Sequence, residues 1–189
     1  MPDATTRPEP RATAFLLIKM TAHGEAAHRP QDEQGSPPAD FEMSRALTAA
    51  LQAWHTAGTL REDSLLLTEW LATEWCGYRL QQLGQDQDRF ERWLRDFGDQ
   101  VCAQQRHAHP AGPTAMEITS VIAARSQTTA ADHLTRLAVA YLGYLRPGHE
   151  VQDAREIALT FALWAGEALS ALMHHDTERI SGYTAARTP

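Results

Sequence analysis

The sequence predicts an all-α fold: an antiparallel bundle of about six helices, preceded by an apolar segment carried on a linker. Three observations predict it. From residue 40 onward apolar residues recur at three- and four-residue spacing, the period that turns one helix face toward a core. These stretches open at cap signals (Thr59 with Glu62, Thr114 with Glu117, Thr129 with Asp132) and close at Gly84, Pro110, Pro113 and Pro147-Gly148. No two segments alternate in the way that a pair of strands requires. The short connections join neighbours that pack antiparallel.

Taken in order, residues 1–11 are polar and rich in proline, and residues 29–39 have the composition of a linker. Residues 1–39 therefore read as a flexible N-terminal arm holding an apolar segment at 12–28. Phe15, Leu16, Leu17 and Ile18 are the strong apolar cluster of that segment, which reads as a helix unless it pairs with another subunit. The bundle domain spans residues 40–175. Asp40 is placed to cap a helix through about His55, with Met43, Leu47, Ala50, Leu51 and Trp54 on one face. The next helix runs from the Thr59 box to Leu83 and carries the stripe Leu67, Leu71, Trp75 and Tyr78. A third, from Asp86 to about Arg106, buries Phe90, Trp93, Leu94, Phe97 and Val101. Shorter helices follow from Thr114 to about Arg125 and from Thr129 to Leu145, and a last one from about Val151 to His175. Residues 176–189 read as a polar, fraying tail. No repeat of fixed period is visible in the residues.

The composition excludes several kinds of chemistry. Lys19 is the only lysine beside 16 arginines, and no glycine-rich loop precedes it, so there is no P-loop. There is no Asn in the 189 residues and hence no acceptor for N-glycosylation. A net charge of −7 speaks against nucleic-acid binding, because phosphate neutralisation needs a surplus of Arg and Lys on one face. Cys76 and Cys102 lack metal or redox spacing and suit a reducing cytoplasm. Loss of Asn and Lys with 31 Ala and 12 Gln fits a GC-rich bacterial genome better than a hyperthermophile. The stretch Ile157 to Met173 is short for a bilayer and contains Glu167, so it reads as a buried core helix and no membrane contact is expected.

Three groups of residues are candidates for chemistry. Trp70, Trp75 and Trp164 can line an aromatic pocket or form a partner-binding hot spot, or simply fill wide gaps between helices. In the last helix, Asp153, Thr160, Glu167 and His174 recur every seven residues as a narrow polar stripe, which faces either a cavity or solvent. Ala165-Gly166, beside Trp164, marks close helix contact because small side chains let backbones approach. His107, His109, His174 and His175 supply the inventory of a metal site, although imidazoles at helix C-termini also complement the helix dipole. No Gly-x-Ser-x-Gly elbow or HExxH motif is present.

The reading that follows is a non-catalytic, cytoplasmic bacterial protein acting through protein contacts, as an adaptor, regulatory or accessory subunit. Its partner is another protein or a second copy of itself, with Phe15 and Leu16 as candidate interface residues beside the tryptophans and Glu167. The alternatives are a small-molecule-binding bundle with a Trp-lined pocket, and a metal-dependent enzyme using the histidines. The residues name no cofactor.

Overall fold

The computed structural model describes residues 7–27, 39–103 and 111–187, and within them the regular structure is helical. The helices are α1 (Pro10–Ala27), α2 (Ala39–Ala57), α3 (Leu60–Gln82), α4 (Gln87–Ala103), α5 (Gly112–Ala123), α6 (Ala130–Tyr144), α7 (Glu150–Leu172) and α8 (Thr177–Ala185). A short 3-10 turn, Arg125–Gln127, joins α5 to α6. The all-α class expected from periodicity is what the chain adopts.

At the centre α3 and α7 lie side by side and run in the same direction. Arg61 bonds Glu150 near their starts at a separation of 89 residues, and Arg79 bonds Glu167 near their ends at 88. A constant separation means parallel axes. The third member of this centre is α1. Arg7 bonds the Asp63 carboxylate, the Arg11 guanidinium lies 4.9 Å over the Trp70 ring, and Thr21 and Ala22 meet Gly166. α1 thus runs parallel to both. The centre is thus parallel where an antiparallel bundle was expected; α2 runs back along α1, its Trp54 indole donating to the Pro8 carbonyl at 2.8 Å, and α8 turns from α7 by 116°.

This corrects the reading of residues 1–39 as an arm. Ala14, Phe15, Leu17, Ile18 and Ala22 are at most 1% exposed, so α1 is core rather than appendage. Its physical anchor is the α1–α7 crossing. A Cβ built on Gly166 would lie 2.4 Å from Thr21 Cβ and 2.9 Å from the Ala22 amide nitrogen. Only the absence of a side chain lets the two backbones come so close. The C-terminal tail is corrected as well. Asp176 caps α8 by accepting from the Glu178 and Arg179 amides, Ile180 and Thr184 are buried, and Arg187 pairs with Glu74 at 2.7 Å.

The cap signals fared unevenly. Thr129 caps α6 as read, accepting the Asp132 amide at 3.2 Å and donating to its carboxylate at 2.7 Å. Thr59 precedes α3, but its hydroxyl donates to Asp63 at 2.6 Å instead of accepting an amide. Thr114 lies inside α5, which opens at Gly112 because Pro113 suits the first turn. Asp40 lies within α2, which begins one residue earlier.

The structure also reveals a repeat that the residues conceal. Helices α3 and α7 are each 23 residues long and start 90 residues apart. Gly58 and Gly148 precede them at φ 74 and 79. Asp63, Leu67, Leu71 and Ala72 are buried in α3, and Asp153, Ile157, Phe161 and Ala162, each 90 positions on, are buried in α7. The preceding helices follow suit: Met43, Leu47, Ala50 and Leu51 in α2 match His133, Leu137, Ala140 and Tyr141 in α6. Both central helices end in two left-handed residues, Gly84-Gln85 and His174-His175, and each pair closes with an amide bonded five residues back, Gln85 to Leu80 and His175 to Ser170. The packing of the first helices is exchanged between units: α1 lies chiefly on α7, α5 and α6 lie on α3, and α2 meets both central helices. The chain is therefore two four-helix units related by a pseudo-two-fold axis along α3 and α7.

Two consequences can be measured by urea denaturation. Gly166→Ala gains about 1 kcal/mol of helix propensity but forces α1 away, for a net loss of roughly 1–2 kcal/mol. Gly77→Ala, where nothing lies within 4 Å of the added Cβ, gains stability instead. His174 has φ 58 where its counterpart is Gly84, so His174→Gly stabilises by about 1 kcal/mol.

Candidate functional site

The site is best approached through a comparison that the molecule itself supplies. Helix α6 turns His133, Leu137, Ala140 and Tyr141 inward, with His133 Nε2 3.6 Å from Glu69 on α3. An ordinary surface helix is polar on the opposite face. On α6 that face holds Leu134 at 52% exposure, Val139 at 68% and Leu142 at 41%, with Ala131 and Ala138 between them. These three make up half of the large exposed hydrophobic side chains among the described residues. The positions 90 residues earlier on α2 are Ser44, Ala49 and Gln52; Ser44 is half-buried and accepts from the Arg155 guanidinium of α7, whereas Ala49 and Gln52 are exposed. At positions 139 and 142 the other unit thus carries a small and a polar residue. Arg136 and Arg146 border the stripe, and Asp132 is the acid of the helix.

The sequence-predicted residues are distributed as follows. Trp75 and Trp164 meet at 4.8 Å between ring centroids and join Trp93, Phe97 and Phe161 in one aromatic cluster. Their rings fill the space between α3, α4 and α7. Trp70 lies elsewhere, under Arg11. Glu167 is exposed and bonds Arg79 at 3.2 Å, and Arg79 in turn sits 5.2 Å over the Trp93 ring. Phe15 was expected at an interface; at 1% exposure it faces the core instead, because the i+3 spacing to Ile18 places both on the buried side of α1. Its neighbour Leu16 is half exposed, beside a shallow recess of about 310 Å³ with Lys19, Met20, His23 and Glu42.

Of the histidines, His107 and His109 lie outside the described residues. His174 and His175 form the corner between α7 and α8, where His175 Nδ1 lies 2.9 Å from the Ser170 hydroxyl. Among the described residues no three His, Cys, Asp or Glu side chains converge as metal ligands do. The polar stripe of α7 is divided. Asp153 is fully buried, accepting from the Arg146 amide at 2.7 Å and from its guanidinium, and Thr160 is buried and donates to the Glu156 carbonyl at 2.8 Å. Glu167 and His174 are exposed. The Arg146 bonds hold the Asp153 carboxyl below its ordinary range. That carboxylate is occupied in holding the α6–α7 turn.

The α6 face was missed because its stripe was read only as a helical period. The available signal was that Leu134, Ala138 and Leu142 repeat at i+4 beside the row of His133, Leu137 and Tyr141, so the apolar stripe of the helix is wider than one buried face needs. Among the described residues no single helix is long and apolar enough to cross a membrane. No protein-family model matches this chain, and neither the curated proteins nor the solved structures contain a match.

The two cysteines separate cleanly. Burial pushes the Cys76 thiol up to about 12, whereas Cys102 is exposed near the end of α4. Because the thiolate is the reactive form, iodoacetamide at neutral pH should alkylate Cys102 at least ~100-fold faster than Cys76 in the folded protein. Mass spectrometry of the labelled peptides reads the ratio, and denaturant should abolish it.

Proposed function

We propose that this chain is a non-catalytic bacterial protein of the cytoplasm that works through protein contacts, as an adaptor, regulatory or accessory subunit. The observation that carries this reading is the outer face of α6. Val139 and Leu142 are exposed where the matching positions of α2 carry Ala49 and Gln52, and Leu134 is exposed beside them. Contiguous exposed apolar surface costs solubility and marks sites of association. The exposed Ala49 and Gln52 of α2 support this reading, since the other unit carries small and polar residues at those positions.

Three buried carboxylates are each engaged within the fold. Asp63 is bonded by Arg7 and Thr59, Asp153 by Arg146, and Glu74 by Arg187. Each ties one helix to another segment of the chain and leaves its carboxylate engaged. The alternative of a Trp-lined ligand pocket has less support, since Trp75 and Trp164 occupy one another's space.

The experiment uses the internal control. A photo-crosslinking amino acid at position 139 should give protein adducts in cells of the source organism, while the same group at position 49 gives few. Equal labelling at the two positions would sink the proposal.

A further inference from the structure

The two units attach their fourth helices differently. In the first, α4 is held by rings: Trp93 and Phe97 lie against Trp75, and α4 itself contains no histidine. In the second, α8 rests chiefly on α1, and the contact between them includes an imidazole. His23 Nε2 lies 3.1 Å from the Ser181 hydroxyl, and both side chains are half-buried. The position equivalent to Ser181 on α4 is Glu91, which is exposed. Among the described residues, a group that titrates near neutral pH thus joins α8 to the body but not α4.

Charging that imidazole opposes the contact. Lys19 lies one turn before His23 on the same side of α1, so a protonated ring sets two like charges at i and i+4. Packing of α8 also removes water that would solvate an imidazolium. Burial, and after it the Lys19 ammonium, hold His23 below the ordinary histidine range. Undocking of α8 returns that water, so the open state binds the proton more readily. Docking is accordingly favoured above the ordinary histidine range, and it weakens as pH falls from there to the lower value of the docked ring. The surrounding charges leave this balance in place. Glu42 of α2 borders the same recess as Lys19 and His23 but is exposed, and Glu178 of α8 is exposed as well. Arg179 pairs with Asp176, Glu74 of α3 with Arg187, and Glu167 of α7 with Arg79.

The corner that leads into α8 favours release. His174 and His175 stand left-handed at φ 58 and 60, where the other unit has Gly84 and Gln85. Without a glycine at position 174 the turn is strained, and the docked α8 helps to hold it. We infer that His23 and Lys19 form a pH-sensitive latch, which keeps α8 on α1 at neutral pH and loosens it on acidification. Release uncovers Tyr78 of α3, whose ring meets that of Tyr183 at 5.7 Å between centroids. The latch lies on α1 and α8 and is independent of the α6 face.

Hydrogen exchange of the full chain, read by mass spectrometry and corrected for its intrinsic pH dependence, tests the latch. Between about pH 7.5 and about pH 5.5 the protection of α8 should fall at least ~2-fold, while that of α4 stays constant. His23→Gln keeps a hydrogen-bonding side chain that never charges, and should abolish the fall. Lys19→Met removes the neighbouring charge and should reduce it. An α8 equally protected at both pH values, an equal fall in α4, or a fall undiminished in either variant overturns the inference. Lys19 is only half-buried, so its variant keeps the test decisive should His23→Gln fail to fold.

Discussion

The α1–α7 crossing at Gly166 is the constraint on which the remaining packing rests. Because Gly166 has no side chain, Thr21 and Ala22 seat directly on the α7 backbone. That seat brings Ala14, Leu17 and Ile18 into the core and places Arg7 at the start of α3, where it bonds the buried Asp63. It also fixes α2, whose Trp54 indole reaches the Pro8 carbonyl, and it gives α8 a surface, with Ser181 3.1 Å from His23. In the second unit the position equivalent to Gly166 is Cys76, a larger residue, and there α5 packs on α3. The two units differ most where this one residue differs.

The pseudo-two-fold relation shows which properties of a side chain the fold requires. Trp164 touches Phe97 at 5.1 Å, and the equivalent pair in the other unit is Glu74 with Arg187 at 2.7 Å. An aromatic contact and a charge pair thus hold α4 and α8 in the same relation to their central helices. Met43 and His133 fill one buried position, and Trp93 and Tyr183 a half-buried one. Spacing and burial are common to both units, while the chemistry at each place is free to vary. Side-chain chemistry can change in such a fold at little structural cost.

The same freedom explains what was legible in the residues. Helix positions were readable because the three- and four-residue period survives any exchange among apolar side chains, as the stripe Leu67, Leu71, Trp75 and Tyr78 shows. The repeat was not, because matched positions rarely share a residue; Gly58 with Gly148, Asp63 with Asp153 and Asp86 with Asp176 are among the few that do. The close contact at Ala165-Gly166 was readable as a small-residue signal, but its partner was not, since linker composition at 29–39 reports on that segment and not on where α1 docks. The tail was misjudged because two buried residues, Ile180 and Thr184, and one cap, Asp176, suffice to hold α8 when the neighbouring helices supply the rest of the surface. The candidate site was hidden for a related reason: which apolar face of α6 looks outward depends on the position of α3, and no periodicity records that.

The exchange of first helices also bears on how the molecule is made. Thr21 and Gly166, which meet at the crossing, are 145 residues apart in the chain. At ribosomal rates of roughly 5–20 residues per second, some seven to thirty seconds pass between the synthesis of one and of the other. For that interval the side of α1 that seats on α7 lacks its native cover, and only α2 and α3 are present to pack against the helix. The nascent chain must carry this partly covered helix until α7 emerges, so the first half cannot complete its core before the second exists, and a chaperone that shields short apolar helices has a defined window in which to act.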